Sequence, residues 1–119
     1  MEKIVEQTLL YDFYGELLTE KQKKIYECYF LNDLSLGEIS EQEGISRQGV
    51  YDTIKRTTKL LENYENKLNL VKKFDNNKKR VSDIYEYTNK ILNRLDDKDK
   101  IIEETKKIQE IADSIINDL

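Results

Sequence analysis

The chain of 119 residues carries 24 acidic and 20 basic side chains, and its formal charge of −4 argues against a protein that coats nucleic acid by bulk electrostatic attraction. The length suits one domain, or one small domain with an extension. Proline is absent, glycine occurs only four times and no alternation of apolar and polar residues indicates strands, so we expect an all-α protein.

The first predicted helix covers residues 3–18, with an inward stripe of Val5, Leu9, Phe13 and Leu17 and with Ile4 and Leu10 beside it. A second helix is expected to begin near Glu20, because Thr19 and Gln22 have the spacing of a capping box. The inward stripe of this second helix is predicted to contain Ile25, Cys28, Tyr29 and Asn32.

The next two predicted helices form a helix-turn-helix over residues 35–56. Ser35 and Glu38 make a second capping box and begin a scaffold helix. Gly44 ends it, since a left-handed backbone is easy only for glycine, and Ser46 caps the next helix. That helix has an apolar inward stripe of Val50, Ile54 and Leu61. Such a pair of helices serves mainly to place its second helix in a nucleic-acid groove.

The outward side of that second helix carries the candidate nucleic-acid contacts, which are Arg47, Gln48, Tyr51, Lys55 and Arg56. From Arg47 to Lys73 there are seven basic and three acidic residues, so this segment carries +4 and the remainder −8. A basic helix on an acidic protein favours selective contact over tight non-specific binding. Tyr51 suits stacking on a base, and equally the role of a partly buried surface tyrosine.

The C-terminal part is predicted to contain two further helices. Asp75-Asn76-Asn77 is the expected first break and residues 96–99 form the next one. The helix predicted between them, over 78–95, has an inner stripe of Val81, Ile84, Thr88, Ile91 and Leu95. The last helix has a predicted seam of Ile101, Thr105, Ile108, Ala112, Ile115 and Leu119. We therefore expect a domain over 1–74 and an extension over 75–119. The seam predicts either packing against the N-terminal helix or, as we favour, a homodimer.

Several kinds of chemistry are not indicated by this sequence. Histidine is absent and Cys28 is the one cysteine, so we expect no metal site, and Cys28 reads as a small core residue. There is no glycine-rich phosphate loop and no catalytic constellation, so we expect neither a cofactor nor an enzyme. A lone cysteine, no signal peptide and no membrane span predict a cytoplasmic protein.

The stretch Leu18-Thr-Glu-Lys-Gln through Ile45-Ser-Arg-Gln-Gly-Val-Tyr-Asp resembles region 4 of the bacterial sigma factors. With its start at Tyr11-Asp-Phe-Tyr-Gly-Glu-Leu-Leu-Thr, the chain looks like the YlxM family of small bacterial proteins, typically encoded beside components of the signal recognition particle. The resemblance covers residues 1–74 well. It implies a sigma region 4-like helix-turn-helix bundle with a C-terminal helical extension.

The resemblance to YlxM also implies a cytoplasmic accessory or regulatory protein of the particle pathway. Its partners would be nucleic acid (DNA or the particle's RNA), reached through the five candidate contacts. The alternative is a protein-interaction module that binds the particle's GTPase subunit without touching nucleic acid. Two residues of the second helix disfavour its reading of bases. Asp52 places a negative charge on the contact face, and Gly49 costs about 1 kcal/mol of helix propensity relative to alanine.

Overall fold

The computed structural model describes residues 3–118, and within them the prediction of an all-α helix-turn-helix bundle is confirmed. The helices are α1 (Lys3–Tyr14), α2 (Glu20–Tyr26), α3 (Leu36–Glu43), α4 (Arg47–Leu68), α5 (Leu70–Leu92) and α6 (Lys98–Asn117). A 3-10 turn (Gly15–Leu17) follows α1, and a π-helical turn (Glu27–Leu31) extends α2. The chain divides into two compact units, Met1–Val71 and Lys72–Leu119, called here the N-terminal and C-terminal units.

Two capping boxes start α2 and α3, as the sequence predicted. The Thr19 hydroxyl accepts a hydrogen bond from the Gln22 backbone N–H at 3.2 Å, and the Gln22 side chain accepts one from the Thr19 N–H at 3.0 Å. Ser35 and Glu38 repeat this exchange at 3.1 and 3.3 Å. These reciprocal bonds satisfy backbone donors that the first turn of a helix otherwise leaves unpaired.

The inward face of α1 differs from the predicted stripe. The buried residues of α1 are Gln7, Leu10 and Tyr14, whereas Val5, Phe13 and Leu17 are exposed. Gln7 is accommodated in the core because the Tyr26 hydroxyl donates to its backbone and side-chain oxygen atoms, each at 2.9 Å. A glutamine with a buried partner can occupy the core, and an apolar pattern does not detect it.

Because of the π-helical turn, the inward face of the second helix differs from the predicted stripe. The wider hydrogen bonds of this turn, such as Asn32 N–H to the Glu27 carbonyl at 2.9 Å, add a residue to the turn and rotate the side chains that follow. Cys28 is buried, as predicted, but Tyr29 and Asn32 are exposed and Phe30 packs inward instead.

The core of the N-terminal unit consists of two clusters. One contains Leu10, Tyr14, Leu18, Tyr26, Leu61 and Val71. The other joins α2, α3 and α4 through Ile25, Cys28, Ile39, Val50 and Ile54. Both clusters contact α4, so this helix is fixed along its length by the helices that precede it.

The joint between α4 and α5 lies at Asn69, not at the predicted break over residues 75–77. Asn69 is left-handed, with φ 56°, and its N–H donates to the Glu65 carbonyl at 2.8 Å. The Glu65 carboxylate accepts from the Tyr14 hydroxyl at 2.6 Å and from the Val71 N–H at 3.0 Å. The Tyr14 oxygen in turn accepts from the Leu70 N–H at 3.1 Å. The first backbone donors of α5 are therefore satisfied by side chains of α1 and α4.

Residues 75–77 continue the helix because their side chains find partners along it. Asp75 pairs with Lys79 at 3.6 Å, four residues later. The Asn77 side-chain oxygen accepts from the Arg80 guanidinium at 3.1 Å. Such contacts within a helix offset the low helix propensity of Asp and Asn.

In the C-terminal unit, α5 and α6 run antiparallel. Arg80 pairs with Asp118, and the Lys107 ammonium lies 5.5 Å from the centre of the Tyr87 ring. A break precedes α6, as predicted, but it ends at the N-cap Asp97 and not at residue 99, because α6 begins at Lys98. Of the inner stripe predicted over 78–95, Val81 and Leu95 are exposed. The predicted seam is wrong at Thr105, which is exposed while Glu104 is buried in its place, and its last residue, Leu119, lies outside the described residues. One Glu104 carboxylate oxygen has no hydrogen-bond partner.

Candidate nucleic-acid interface

The turn between α3 and α4 places the start of α4 on the surface. Gly44 has φ +67°, and its N–H donates to the Ser40 carbonyl at 3.0 Å. The Ser46 hydroxyl accepts from the Gly49 N–H at 3.0 Å and caps α4. Ile39 and Val50, both fully buried, hold α3 and α4 together below this turn. Local hydrogen bonds and one core contact thus form the predicted helix-turn-helix.

All five candidate contact residues are exposed on α4. They do not share one face, however. Arg47 and Arg56 are nine residues apart, which is roughly two and a half turns of helix, so they lie on opposite edges of the exposed surface. Gln48, Tyr51 and Lys55 lie between these edges. This differs from the expectation that the basic residues all project from one side.

Arg47 is held against the scaffold helix. A guanidinium nitrogen of Arg47 lies 3.1 Å from the point where a Cβ would stand on Gly37. A side chain larger than hydrogen at residue 37 would therefore displace the Arg47 guanidinium. No role was predicted for Gly37 from the sequence. The signal that could have indicated one is the low helix propensity of glycine at a position near the start of α3.

The centre of the contact surface is polar and internally paired. The Gln48 side-chain amide donates to the Asp52 carboxylate at 3.0 Å, one turn further along α4. This bond uses one of the two N–H donors of the Gln48 amide, and it holds the acidic group on the surface. The cations Lys55 and Arg56 flank this pair, and Lys59, absent from the predicted set, continues the basic side by one more turn.

Tyr51 and Lys55 also line a groove of about 770 Å³ beside α4. Its other walls come from the start of α1, the π-helical turn and the start of α3. No single segment of sequence contains this groove, so the apolar patterns did not predict it.

The described part of the chain shows neither a cluster of metal-ligating side chains nor a membrane-spanning helix. Among residues 3–118 no three His, Cys, Asp or Glu side chains gather as a metal site would require. Over the same residues, no helix is both long enough and apolar enough to cross a membrane.

Residues 1–87 match the family UPF0122, described as "Putative helix-turn-helix protein, YlxM / p13 like". The UPF0122 protein of Caldanaerobacter subterraneus subsp. tengcongensis is 62% identical over 79 residues, 66% of this chain and 68% of that protein. A Thermoanaerobacter sp. relative is 52% identical over 107 residues, 87% of this chain and 92% of its own. A Geobacillus sp. relative is 40% identical over 111 residues, 93% of this chain and 98% of its own.

This family is described by its helix-turn-helix and not by a reaction. The match spans both helices of the motif and the helices that hold them, and the relatives extend the similarity over most of the chain. The resemblance seen in the sequence is confirmed: the chain belongs to the UPF0122 family of YlxM/p13-like helix-turn-helix proteins.

Proposed function

We propose that this protein is an accessory or regulatory protein of the signal recognition particle pathway and contacts nucleic acid through α4. The observation that carries the nucleic-acid role is the placement of Arg47 and Arg56 on opposite edges of an exposed helix. A helix in a groove meets a phosphate backbone on each side, so basic residues at both edges suit phosphate contact. Tyr51 and Lys55, between the edges, face the floor of such a groove.

The choice of the particle pathway rests on the resemblance to YlxM proteins. The partners proposed on that ground are the particle's RNA and its GTPase subunit. The buried, unpaired Cys28 suits a cytoplasmic location, since a reducing compartment keeps such a thiol free. The family's description names a motif and no reaction, so we assign the protein a binding role and no enzymatic activity.

Titration of labelled particle RNA and of duplex DNA at several salt concentrations tests the nucleic-acid role. Replacing Arg47, Lys55 and Arg56 together by alanine should weaken binding and lower the salt slope by about one per residue. The matched control replaces Lys98, Lys100 and Lys106 by alanine, which removes the same charge from exposed positions of α6. Equal binding by the two triple variants would refute nucleic-acid contact through α4.

The second candidate function is a protein-interaction module for the particle's GTPase subunit. The Gln48–Asp52 pair favours it, because a fixed carboxylate at the centre of the face repels phosphate. The net charge of −4 favours it as well. Sedimentation with purified RNA, purified GTPase subunit and the assembled particle separates the two functions. Binding to the subunit alone, without salt-dependent RNA binding, would select the second function, and no binding to any of them would remove the particle assignment.

We further propose that the extension over residues 75–119 mediates a homodimer. The outward side of α5 leaves Val81, Tyr85 and Leu92 between 60 and 70% exposed, at spacings of four and seven residues. A second copy would cover this row, and two copies would supply two contact helices for adjacent sites. Leu92→Glu should give a monomeric mass by light scattering, while Leu68→Glu, exposed on α4, should leave the dimer intact. A monomeric mass for the unaltered chain would exclude the dimer.

A further inference from the structure

The groove beside α4 has an apolar floor and is built entirely within the N-terminal unit. Phe30 and Leu34 contribute from the π-helical turn and the segment after it, Leu36 from α3 and Ile54 from α4. Its volume, about 770 Å³, is within the range of sites that bind organic ligands or a row of side chains. An open apolar channel of this size is unusual beside a helix whose outward surface is polar.

Aromatic packing keeps the groove wall rigid. Phe30 lies between Tyr26 and Tyr29, with ring centres 4.5 and 5.0 Å away, and the Tyr29 ring meets it edge to face. Tyr26 is itself fixed by its hydrogen bond to Gln7. The wall is therefore formed before any ligand arrives, which lowers the entropic cost of binding.

Apolar side chains at the rim of the groove remain exposed to water. Ile4 is 66% exposed, Tyr51 48% and Tyr29 38%. Each would lose apolar surface to a ligand with an apolar row of its own, so the hydrophobic effect favours occupation. Three of the four floor residues, Leu34, Leu36 and Ile54, offer a nucleobase no ring to stack on and no side-chain group to hydrogen-bond with.

The rim carries more positive than negative charge. Lys3 stands at the α1 side, and Lys55 and Lys59 stand one turn apart along α4. Asp33 and Glu62 are the acidic residues among those that line it. The α4 wall extends from Tyr51 to Glu62, which is roughly 16 Å or three helical turns.

We propose that this groove binds one amphipathic helix of a partner protein, about three turns long, with an apolar row flanked by acidic residues. Helices bind other proteins by laying such a row into an apolar groove, and the acidic flanks would meet the three lysines. This site goes beyond the proposed contact with nucleic acid and does not depend on it. Since Tyr51 and Lys55 belong to both surfaces, a bound helix would exclude nucleic acid from α4.

The test uses the full chain and a fluorescein-labelled helical peptide of about 12 residues with leucines spaced three and four apart, flanked by glutamates. A second peptide has lysines in place of the glutamates, and a third has serines in place of the leucines. Fluorescence anisotropy should show saturable binding of the acidic peptide, and binding roughly tenfold weaker or more for each of the other two.

Two groove variants and one matched control locate the site. Lys59→Glu should weaken binding of the acidic peptide and strengthen binding of the lysine peptide. Ile4→Glu should weaken binding of the acidic peptide. Lys67→Glu makes the same charge change on α4 outside the groove and should alter neither. Loss of peptide binding in Lys67→Glu to the same extent, or equal binding of the two charged peptides, would overturn the proposal.

Two further measurements would identify a different ligand in the groove. A single-stranded oligouridine that binds the unaltered chain and is lost in Ile4→Glu, with no peptide binding, would make the groove a nucleic-acid site and overturn the proposal. Self-association lost in Ile4→Glu would do the same in favour of a second copy. Arg56→Ala, which lies outside the groove, should weaken nucleic-acid binding and leave peptide binding unchanged. Failure of the proposed function and failure of this inference are therefore distinguishable.

Discussion

The N-terminal and C-terminal units differ in what they bury. Every buried apolar side chain among residues 3–118 belongs to the N-terminal unit, whereas the buried side chain described in the C-terminal unit is a glutamate, Glu104. Apolar content does not explain this difference, because α5 and α6 both carry apolar side chains at helical spacing. The difference follows from the number of helices that pack together in each unit. Several helices enclose a side chain from all sides, while two helices cover it from one.

The largest expected effect is in the core of the N-terminal unit. Leu61 is fully buried on α4, so Leu61→Ala should cost about 2–5 kcal/mol of unfolding free energy. Ile108→Ala, half-buried on α6, should cost about 1 kcal/mol or less. Hydrogen exchange read by mass spectrometry gives the protection of each unit separately. Equal losses for the two variants would contradict the contrast drawn between the units.

A smaller effect of opposite sign is expected in the C-terminal unit. One Glu104 oxygen is buried without a partner, and such a group costs its desolvation energy without return. Glu104→Leu should therefore stabilise the protein by about 1–3 kcal/mol, measured by urea unfolding. Glu110→Leu, an exposed change on the same helix, should shift stability by less than about 0.5 kcal/mol. Destabilisation by Glu104→Leu would mean that the carboxylate has a structural role.

The smallest effect concerns alkaline pH and the tyrosines of the N-terminal unit. Burial, then the hydrogen bond to Glu27, raises the pKa of Tyr11, and burial also raises the pKa of Tyr14 and of Tyr26. In the unfolded chain these hydroxyls titrate near pH 10. Raised native pKa values contribute stability that is fully present below that pH and is lost as pH rises through the native values.

Stability should thus be flat to about pH 10 and then fall by an amount on the order of 1 kcal/mol per pH unit. Urea midpoints from about pH 8 to about pH 11 measure this fall. Tyr11→Phe should make the fall shallower, because it removes one of the three titrating hydroxyls while the ring can still stack on Tyr26 at 5.2 Å. A midpoint that stays constant through pH 11 would contradict the prediction.

The sequence predicted the helix-turn-helix well because its signals are local. The capping pair Ser35 and Glu38, the glycine at 44 and the cap at Ser46 each act within four residues. Failures occurred where a distant partner decides the outcome. Gln7 enters the core only because Tyr26, 19 residues away, donates to it.

For the candidate site as well, the features set within one helix were predictable and those set by packing between helices were not. Exposure of the five contact residues follows from the inward stripe of α4. The close approach of the Arg47 side chain to Gly37, and the groove lined by both Lys3 and Lys59, depend on how separate helices pack. Periodicity within one helix does not report such packing.

The joint at Asn69 has a consequence for the order in which the chain is completed during synthesis. Tyr14 bonds to Glu65 and Leu70, which follow it by 51 and 56 residues. While a ribosome makes the protein, α1 has neither partner until the end of α4 has emerged. Once Val71 has emerged from the ribosome, every hydrogen bond of this joint can form, although α6 has not yet emerged. The candidate contact face of α4 can therefore be completed on the nascent chain before α5 and α6 can pack together.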